Sequence, residues 1–173
     1  AYFPVLSVFD ISQTDSIDVV EPEVDIAPRL RGVDRTGIFE AVASWLTTEG
    51  WEVTRAPLHG EDGHTKVSEG RRQVSVEVQL EPAHAAVTIL HETGHALMHS
   101  EVTDYHQHRG IYETEAEAVA YVTAGVLGLD SAANSIGYIA SWAAGDAALV
   151  KLTAKKVLRT VRTILDAVTE EGE

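Results

Sequence analysis

The sequence HETGH at residues 91–95 constrains the fold of this chain more than any other feature. It lies within an apolar run, Val87 to Met98, that follows Pro82, and proline is favoured in the first turn of a helix. We therefore predict a helix from Pro82 to about Ser100. Because residues i and i+4 share one face of a helix, the two imidazoles of this motif can reach the same ion.

The composition leaves histidine and carboxylate as the ligands available to such an ion. The chain has 173 residues, no cysteine and eight histidines, five of them between residues 91 and 108. Disulfide scaffolds, thiol nucleophiles and iron–sulfur clusters are therefore excluded. In the H-E-x-x-H pattern the two histidines bind Zn²⁺ and the glutamate acts as general base on a metal-activated water. The pattern predicts His91 and His95 as ligands, Glu92 as the catalytic residue, and a third ligand from elsewhere.

Three glutamates in the next predicted helix, Tyr112 to Leu127, are the candidates for that third ligand. Glu113 and Glu117 are four residues apart and share a helix face, and they follow His95 after 17 and 21 residues. Glu117 lies deeper among apolar residues, where a carboxylate needs a compensating cation. We therefore predict Glu117 as the ligand and Glu113 as its hydrogen-bonding neighbour, and the reverse assignment stays open. Glu115 fits a solvated first turn of the helix.

Further polar residues lie near the motif along the chain. We expect His99, on the same helix face, to pack or hydrogen bond beside the site. We expect His106 and His108, in the following loop, to be exposed to solvent. Three tyrosines could donate a hydrogen bond to an oxyanion, and the sequence does not select among them: Tyr105, Tyr112 and Tyr138.

The order of the remaining elements predicts an α+β domain. We expect a small, mostly antiparallel sheet packed on the motif helix and on further C-terminal helices, in one domain spanning residues 1–173. Residues 1–33 would form an N-terminal strand and an acidic loop. The other predicted elements are a helix at 36–49 capped by Asp34 and ended by Gly50, a strand at 51–56, a hairpin at 65–80 that turns at 70–72, and helices at 136–144 and 146–169.

The charge of the chain bears on its partners and location. It has 13 basic and 27 acidic residues, a net charge of −14, which argues against binding of a nucleic-acid backbone by this chain alone. A basic stripe in the last helix fits a solvated helix face: Lys151, Lys155, Arg159 and Arg162. No apolar stretch is long enough for a membrane span and no signal peptide is visible, so we expect a cytoplasmic protein.

Three segments of the sequence resemble known bacterial, phage and plasmid proteins. The runs AAVTILHETGHALMH, ETEAEAVAYVTAGVLGLD and GYIASWAAGD are similar to those of ImmA/IrrE-type metallopeptidases and of the ArdC-like antirestriction group. The resemblance implies a zincin-like fold, with His91 and His95 on the metal and Glu92 as catalytic glutamate. The opening run VFDISQTD resembles the segment that follows the N-terminal domain of ArdC-like proteins, which implies that such a domain precedes this chain.

Motif and resemblance together predict a zinc metallopeptidase that cleaves a protein or peptide substrate. The resemblance implies a regulatory or antirestriction role. A peptide could pair with the hairpin at residues 65–80, since a strand precedes the motif helix. The alternative is a metal-stabilised binding module that acts in antirestriction or transcriptional regulation without turnover.

Overall fold

A computed structural model describes residues 29–102, 105–132, 135–136 and 147–170 of the chain. The predicted strand at 2–11, the acidic loop at 12–28, Tyr138 and nearly all of the predicted helix at 136–144 lie outside these residues. The described elements, in chain order, are α1 (Ile38–Thr48), β1 (Glu52–Ala56), β2 (Gly63–Ser68), β3 (Arg71–Glu77), α2 (Pro82–Met98), a short 3-10 helix (Tyr105–Gln107), α3 (Arg109–Val126) and α4 (Ala147–Glu170). The α+β class is confirmed.

Helix α1 begins two residues later and ends one residue earlier than predicted. Gly37, in a left-handed conformation with φ of 68°, occupies the N-cap position. Asp34 still accepts the backbone N–H of Phe39 at 3.0 Å, so it satisfies one of the free donors of the first turn. At the other end Gly50 has φ of 82°, and Trp51 N–H donates back to the carbonyl of Leu46 at 2.9 Å. This is a Schellman ending, which needs glycine because φ is positive.

The three strands form a mixed sheet in the order β1-β3-β2. β2 and β3 pair antiparallel, as the predicted hairpin requires, whereas β1 and β3 pair parallel. The sheet therefore differs from the mostly antiparallel one that we expected. The hairpin turns at Glu69 and Gly70, both with positive φ, and not at residues 70–72. Within the described residues β2 has a strand neighbour on one side only.

Helix α2 lies at the centre of the fold. It contacts the sheet through β2 and β3, and it contacts the other three long helices, most extensively α3. Its apolar residues before Leu97 are nearly inaccessible, including Ala86, Ile89 and Leu90. They meet Val74 and Val76 of β3, whose alternation with polar residues predicted a half-buried strand. The histidine motif is therefore held in the best-packed part of the domain.

Helix α4 packs on α3 and leaves its basic stripe in water. The core side chains Val157, Val161 and Ile164 of α4 are buried, whereas the four basic residues of the stripe are exposed. Arg162 Nε lies 3.8 Å from Asp166 Oδ2, one turn further along the helix. The exposure agrees with a solvated face. In the part of the chain that the structure describes, no helix has the length and apolarity needed to cross a membrane.

Candidate metal centre

The site depends on a close approach between α2 and α3 at Gly94. A Cβ placed on Gly94 would lie 3.0 Å from Ala116 Cα and 3.3 Å from Ala116 Cβ. Such a distance to a backbone atom is too short for an ordinary side chain. A glycine inside a helix costs stability, so the close approach explains why glycine occurs here. It brings the glutamates of α3 against the histidine face of α2.

Two histidines and one glutamate bring their polar atoms together in the contact between these helices. His91 Nε2 lies 3.1 Å from His95 Nε2, and Glu113 Oε2 lies 3.3 Å from the former and 3.7 Å from the latter. All three residues are largely buried. Among the described residues, these three form the group of histidine and acidic side chains whose geometry suits a metal ion.

The three atoms fit a zinc ion in both chemistry and spacing. Zinc prefers tetrahedral sites with imidazole nitrogen and carboxylate oxygen at about 2.0–2.2 Å, which places neighbouring ligand atoms roughly 3.3–3.6 Å apart. The observed separations of 3.1, 3.3 and 3.7 Å bracket that range. Two imidazole nitrogens and one carboxylate oxygen face one another in a buried place, where a cation between them would compensate their lost hydration. A donor set of two histidines and one glutamate also leaves a fourth position, as in catalytic zinc sites.

Glu117, which we predicted as the third ligand, meets the other ring nitrogen of His91. Its Oε2 atom is 2.9 Å from His91 Nδ1, on the opposite side of the imidazole from His95. The geometry therefore favours the alternative that the sequence left open, with Glu113 at the ligand position and Glu117 holding His91. His91 Nδ1 compensates Glu117 Oε2, whereas Glu117 Oε1 is buried without a hydrogen-bond partner among the described residues. A carboxylate on the outer nitrogen of a ligating histidine fixes its tautomer and orientation.

The two glutamates set the proton affinity of His91. Burial disfavours its charged form, but the hydrogen bonds to Glu113 and Glu117 outweigh burial and raise the pKa of His91 well above its usual value. Burial also opposes the charge on Glu113, yet the neighbouring imidazoles of His91 and His95 hold the pKa of Glu113 far below its usual value. Without a metal ion, these contacts favour a protonated His91.

Tyr105 holds the second oxygen of Glu113. The hydroxyl of Tyr105 donates to Glu113 Oε1 at 2.8 Å, while Glu113 Oε2 faces the two histidines. Arg109 Nε lies 3.5 Å from the same Oε1 atom. Burial and the contact with Glu113 raise the pKa of Tyr105, so it stays a donor. Of the two candidate tyrosines that the structure describes, Tyr105 donates to a ligand candidate, and the ring of Tyr112 packs against His99 at 4.6 Å between centroids.

A series of hydrogen-bonded side chains begins at His95 Nδ1, the ring nitrogen that faces away from the cluster. His95 Nδ1 lies 3.0 Å from His99 Nδ1, and His99 Nε2 lies 2.8 Å from Glu115 Oε2. Lys156 Nζ, from α4, donates to the same Glu115 oxygen at 2.8 Å. His99 therefore hydrogen bonds beside the site, one of the two roles that we expected. Glu115 is buried and not in a solvated turn, because α4 packs over this part of α3.

Glu92 is held against strand β2. Its Oε2 atom lies 2.8 Å from the hydroxyl of Thr65, which also lies 2.9 Å from the Glu92 carbonyl oxygen. A Cβ placed on Gly63 would lie 2.8 Å from Glu92 Oε1, so a side chain there would displace the carboxylate. The start of β2 therefore fixes the carboxylate of Glu92 in one position, with its charge close enough to help raise the pKa of His91.

Several of the residues beside the site have no signal in the sequence. Thr65, Gly63 and Lys156 lie far from the motif along the chain, and no local pattern connects them to it. Tyr105 was one of three equal candidates. His106 and His108 are exposed, as predicted.

Comparison with known proteins gives a match for one part of the chain. Residues 47–127 match the family model of the IrrE N-terminal-like domain, peptidase family M78. The matched range contains β1, the hairpin, α2, α3 and all three clustered side chains. No curated protein and no solved structure gives a significant match. This match supports an ImmA/IrrE-like, zincin-like domain of a metallopeptidase-like type over residues 47–127.

Proposed function

We propose that this protein is a zinc-dependent peptidase whose metal is held by His91, His95 and Glu113. The observation that carries the proposal is the cluster of His91 Nε2, His95 Nε2 and Glu113 Oε2 within 3.1–3.7 Å of one another, beside a buried Glu92. The match to the IrrE N-terminal-like domain supports the metallopeptidase part of the proposal. Zinc itself is proposed from the donor set and its spacing.

Each residue of the site has a separate task in this proposal. A bound zinc ion lowers the pKa of a water ligand to about 7 and polarises the carbonyl under attack. Glu92 accepts a proton from the attacking water and returns it to the nitrogen of the departing amine. Thr65 holds the carboxylate of Glu92 in position by its hydrogen bond at 2.8 Å. Glu117 and His99 orient the two histidines through their outer ring nitrogens.

We propose that a substrate peptide lies along the edge of β2 that faces away from β3. Within the described residues β2 pairs with β3 alone, so its other edge can accept an extended peptide through backbone hydrogen bonds. Thr65 of this strand touches Glu92 directly. A peptide that pairs there would therefore run past the catalytic carboxylate. We predicted from the sequence that a peptide could pair with the hairpin at residues 65–80, and we now propose β2 as the strand with which it pairs.

The substitution Glu92→Gln tests the catalytic part of the proposal. The amide keeps the size of the side chain and the hydrogen bond from Thr65, but it cannot accept a proton. We expect peptide cleavage in a proteome-derived peptide library to fall by about 10²–10⁴-fold, the usual contribution of a general base. Zinc content should stay at one ion per chain, because Glu92 is not among the proposed ligands.

A variant with unchanged cleavage and full zinc content would contradict this mechanism. If wild type binds zinc and cleaves nothing in the library, the non-catalytic binding module becomes the better account. Such a module should keep its biological activity in Glu92→Gln and lose it in His91→Ala, since structural metal loss loosens the fold.

We propose a protein or peptide as the substrate class and the cytoplasm as the location, as the sequence predicts. The net charge of −14 disfavours nucleic acid as a partner of this chain. The regulatory or antirestriction role and the bacterial, phage or plasmid origin rest on the sequence resemblance and stay predictions.

A further inference from the structure

Lys156 is connected to the metal site although it lies on another helix. The connection has three links: His95 Nδ1 to His99 Nδ1 at 3.0 Å, His99 Nε2 to Glu115 Oε2 at 2.8 Å, and Glu115 Oε2 to Lys156 Nζ at 2.8 Å. The side chains of His99 and Glu115 are buried, and that of Lys156 is half exposed. Lys156 also lies outside residues 47–127, the part that matches the family.

The pair of Glu115 and Lys156 determines which atom donates in each hydrogen bond of this connection. A carboxylate that pairs with an ammonium group can only accept hydrogen bonds. His99 must therefore carry its hydrogen on Nε2, which faces Glu115. The neutral ring then has a lone pair on Nδ1, and His95 Nδ1 must donate to it. The hydrogen of His95 thus lies on Nδ1, and its Nε2 is left with a lone pair.

That lone pair points to the place where a metal would bind. His95 Nε2 faces His91 Nε2 at 3.1 Å and Glu113 Oε2 at 3.7 Å. An imidazole binds a metal only through a nitrogen without hydrogen, and the hydrogen bond of the other nitrogen decides which one that is. Most ligating histidines donate to a carboxylate or carbonyl directly; here a second histidine lies between the ligand and the carboxylate.

We propose that Lys156 is a positioning residue, which fixes the tautomer and orientation of His95 through Glu115 and His99 and so prepares its Nε2 atom for zinc. The proposal rests on the metal site of the proposed function. Lys156 touches neither the ion nor a ligand, so its effect passes through the carboxylate that it holds in place.

Two substitutions break the connection at different links. Glu115→Gln puts an amide, which can both donate and accept, against His99, so that the tautomer is no longer dictated. Lys156→Met keeps the length of the stem and removes the donor that holds Glu115. The matched control is Lys155→Met, one residue earlier on the exposed side of α4. Lys156→Arg keeps a donor and should restore the wild-type behaviour.

Zinc affinity, measured by competition with a chromophoric chelator, is the first readout. We expect Glu115→Gln to bind zinc about tenfold more weakly, at the lower end of the range for outer partners of metal ligands. Lys156→Met should bind about threefold to tenfold more weakly, and Lys155→Met and Lys156→Arg should match wild type. Equal affinity in Lys156→Met and Lys155→Met would overturn the proposal.

The ¹⁵N spectrum of the imidazoles is the second readout, and a merely structural role of Lys156 would not move it. Wild type should show His99 with its hydrogen on Nε2 and His95 with its hydrogen on Nδ1. Glu115→Gln should lose this single tautomer. A wild-type His99 with its hydrogen on Nδ1 overturns the proposal without any variant. If wild type binds no zinc, the proposed function fails; if all variants bind zinc equally, only this inference fails.

Discussion

At the scale of single residues, the site separates two glutamates that the sequence makes nearly equivalent. Glu113 and Glu117 share a face of α3, and both touch His91. Their difference lies in the ring nitrogen that each one meets, because Glu113 faces Nε2 and Glu117 faces Nδ1. The sequence identifies the face but not the position of α3 along α2, so it could not decide between them. The pair of histidines and Glu92 needed no such information, since one helix holds all three.

The raised pKa of His91 predicts how zinc affinity depends on pH. Zinc needs the neutral imidazole, so binding must displace the proton that Glu113 and Glu117 stabilise. Stabilisation of the metal-free protein by this proton is complete below about pH 6.5 and is lost as pH rises through the folded pKa. Apparent zinc affinity should therefore increase from pH 7 to pH 8, by at most about tenfold for one displaced proton. Chelator competition at the two pH values measures this.

The matched variant for this prediction is Glu117→Gln. It keeps an acceptor for His91 Nδ1 and removes one of the charges that raise the pKa of His91, so the pH dependence should become shallower. Glu113 contributes no further proton, because its pKa is already far below neutrality. An affinity that does not change between pH 7 and pH 8 in wild type would show that His91 is neutral before zinc arrives.

At the scale of elements, sequence patterns predicted where the long helices and the strands lie better than they predicted how the strands pair. The apolar residues of α2 are a local property, and the predicted helix is confirmed. The alternation of β3 is not seen in its burial, because Val74, Ser75 and Val76 are all buried. The parallel pairing of β1 with β3 depends on contacts between residues far apart in the chain. The spacing of apolar residues within each strand does not predict such a pairing. The burial of Glu115 has the same origin, since it depends on α4 packing across α3.

Substitutions of Gly94 and Gly125, two glycines in different surroundings, should change the free energy of unfolding in opposite directions. Gly94→Val forces branched carbons against the backbone of Ala116, and we expect the free energy of unfolding to fall by about 1–3 kcal/mol, the usual cost of overpacking. A Cβ on Gly125, in the last turns of α3, meets no atom within 4 Å. Gly125→Ala should therefore stabilise by about 0.5–1 kcal/mol through helix propensity.

Urea unfolding of the two variants and wild type checks this pair. Gly94→Val should also lose zinc affinity, because α3 carries Glu113. Equal stability of Gly94→Val and wild type would mean that the two helices are not in contact at this point.

At the scale of the whole molecule, the site joins three helices and the edge of the sheet. α2 supplies His91, His95 and Glu92, α3 supplies Glu113, and α4 reaches the site through Lys156. β2 holds Glu92 through Thr65. Metal binding and packing are therefore coupled, and zinc should stabilise the folded chain against unfolding. No local pattern could predict this arrangement, because Thr65 and Lys156 meet the motif only after the chain has folded.

The zinc affinity of Glu113→Gln compared with that of Glu117→Gln tests the central claim most directly. Loss of a ligand should weaken zinc binding far more than loss of an outer partner. We expect Glu113→Gln to bind more than about 100-fold more weakly than wild type, and Glu117→Gln to remain within about 10–100-fold. Both variants keep the size of the side chain. Wild-type affinity in Glu113→Gln, or a larger loss in Glu117→Gln, would contradict the assignment of His91, His95 and Glu113 as the metal ligands.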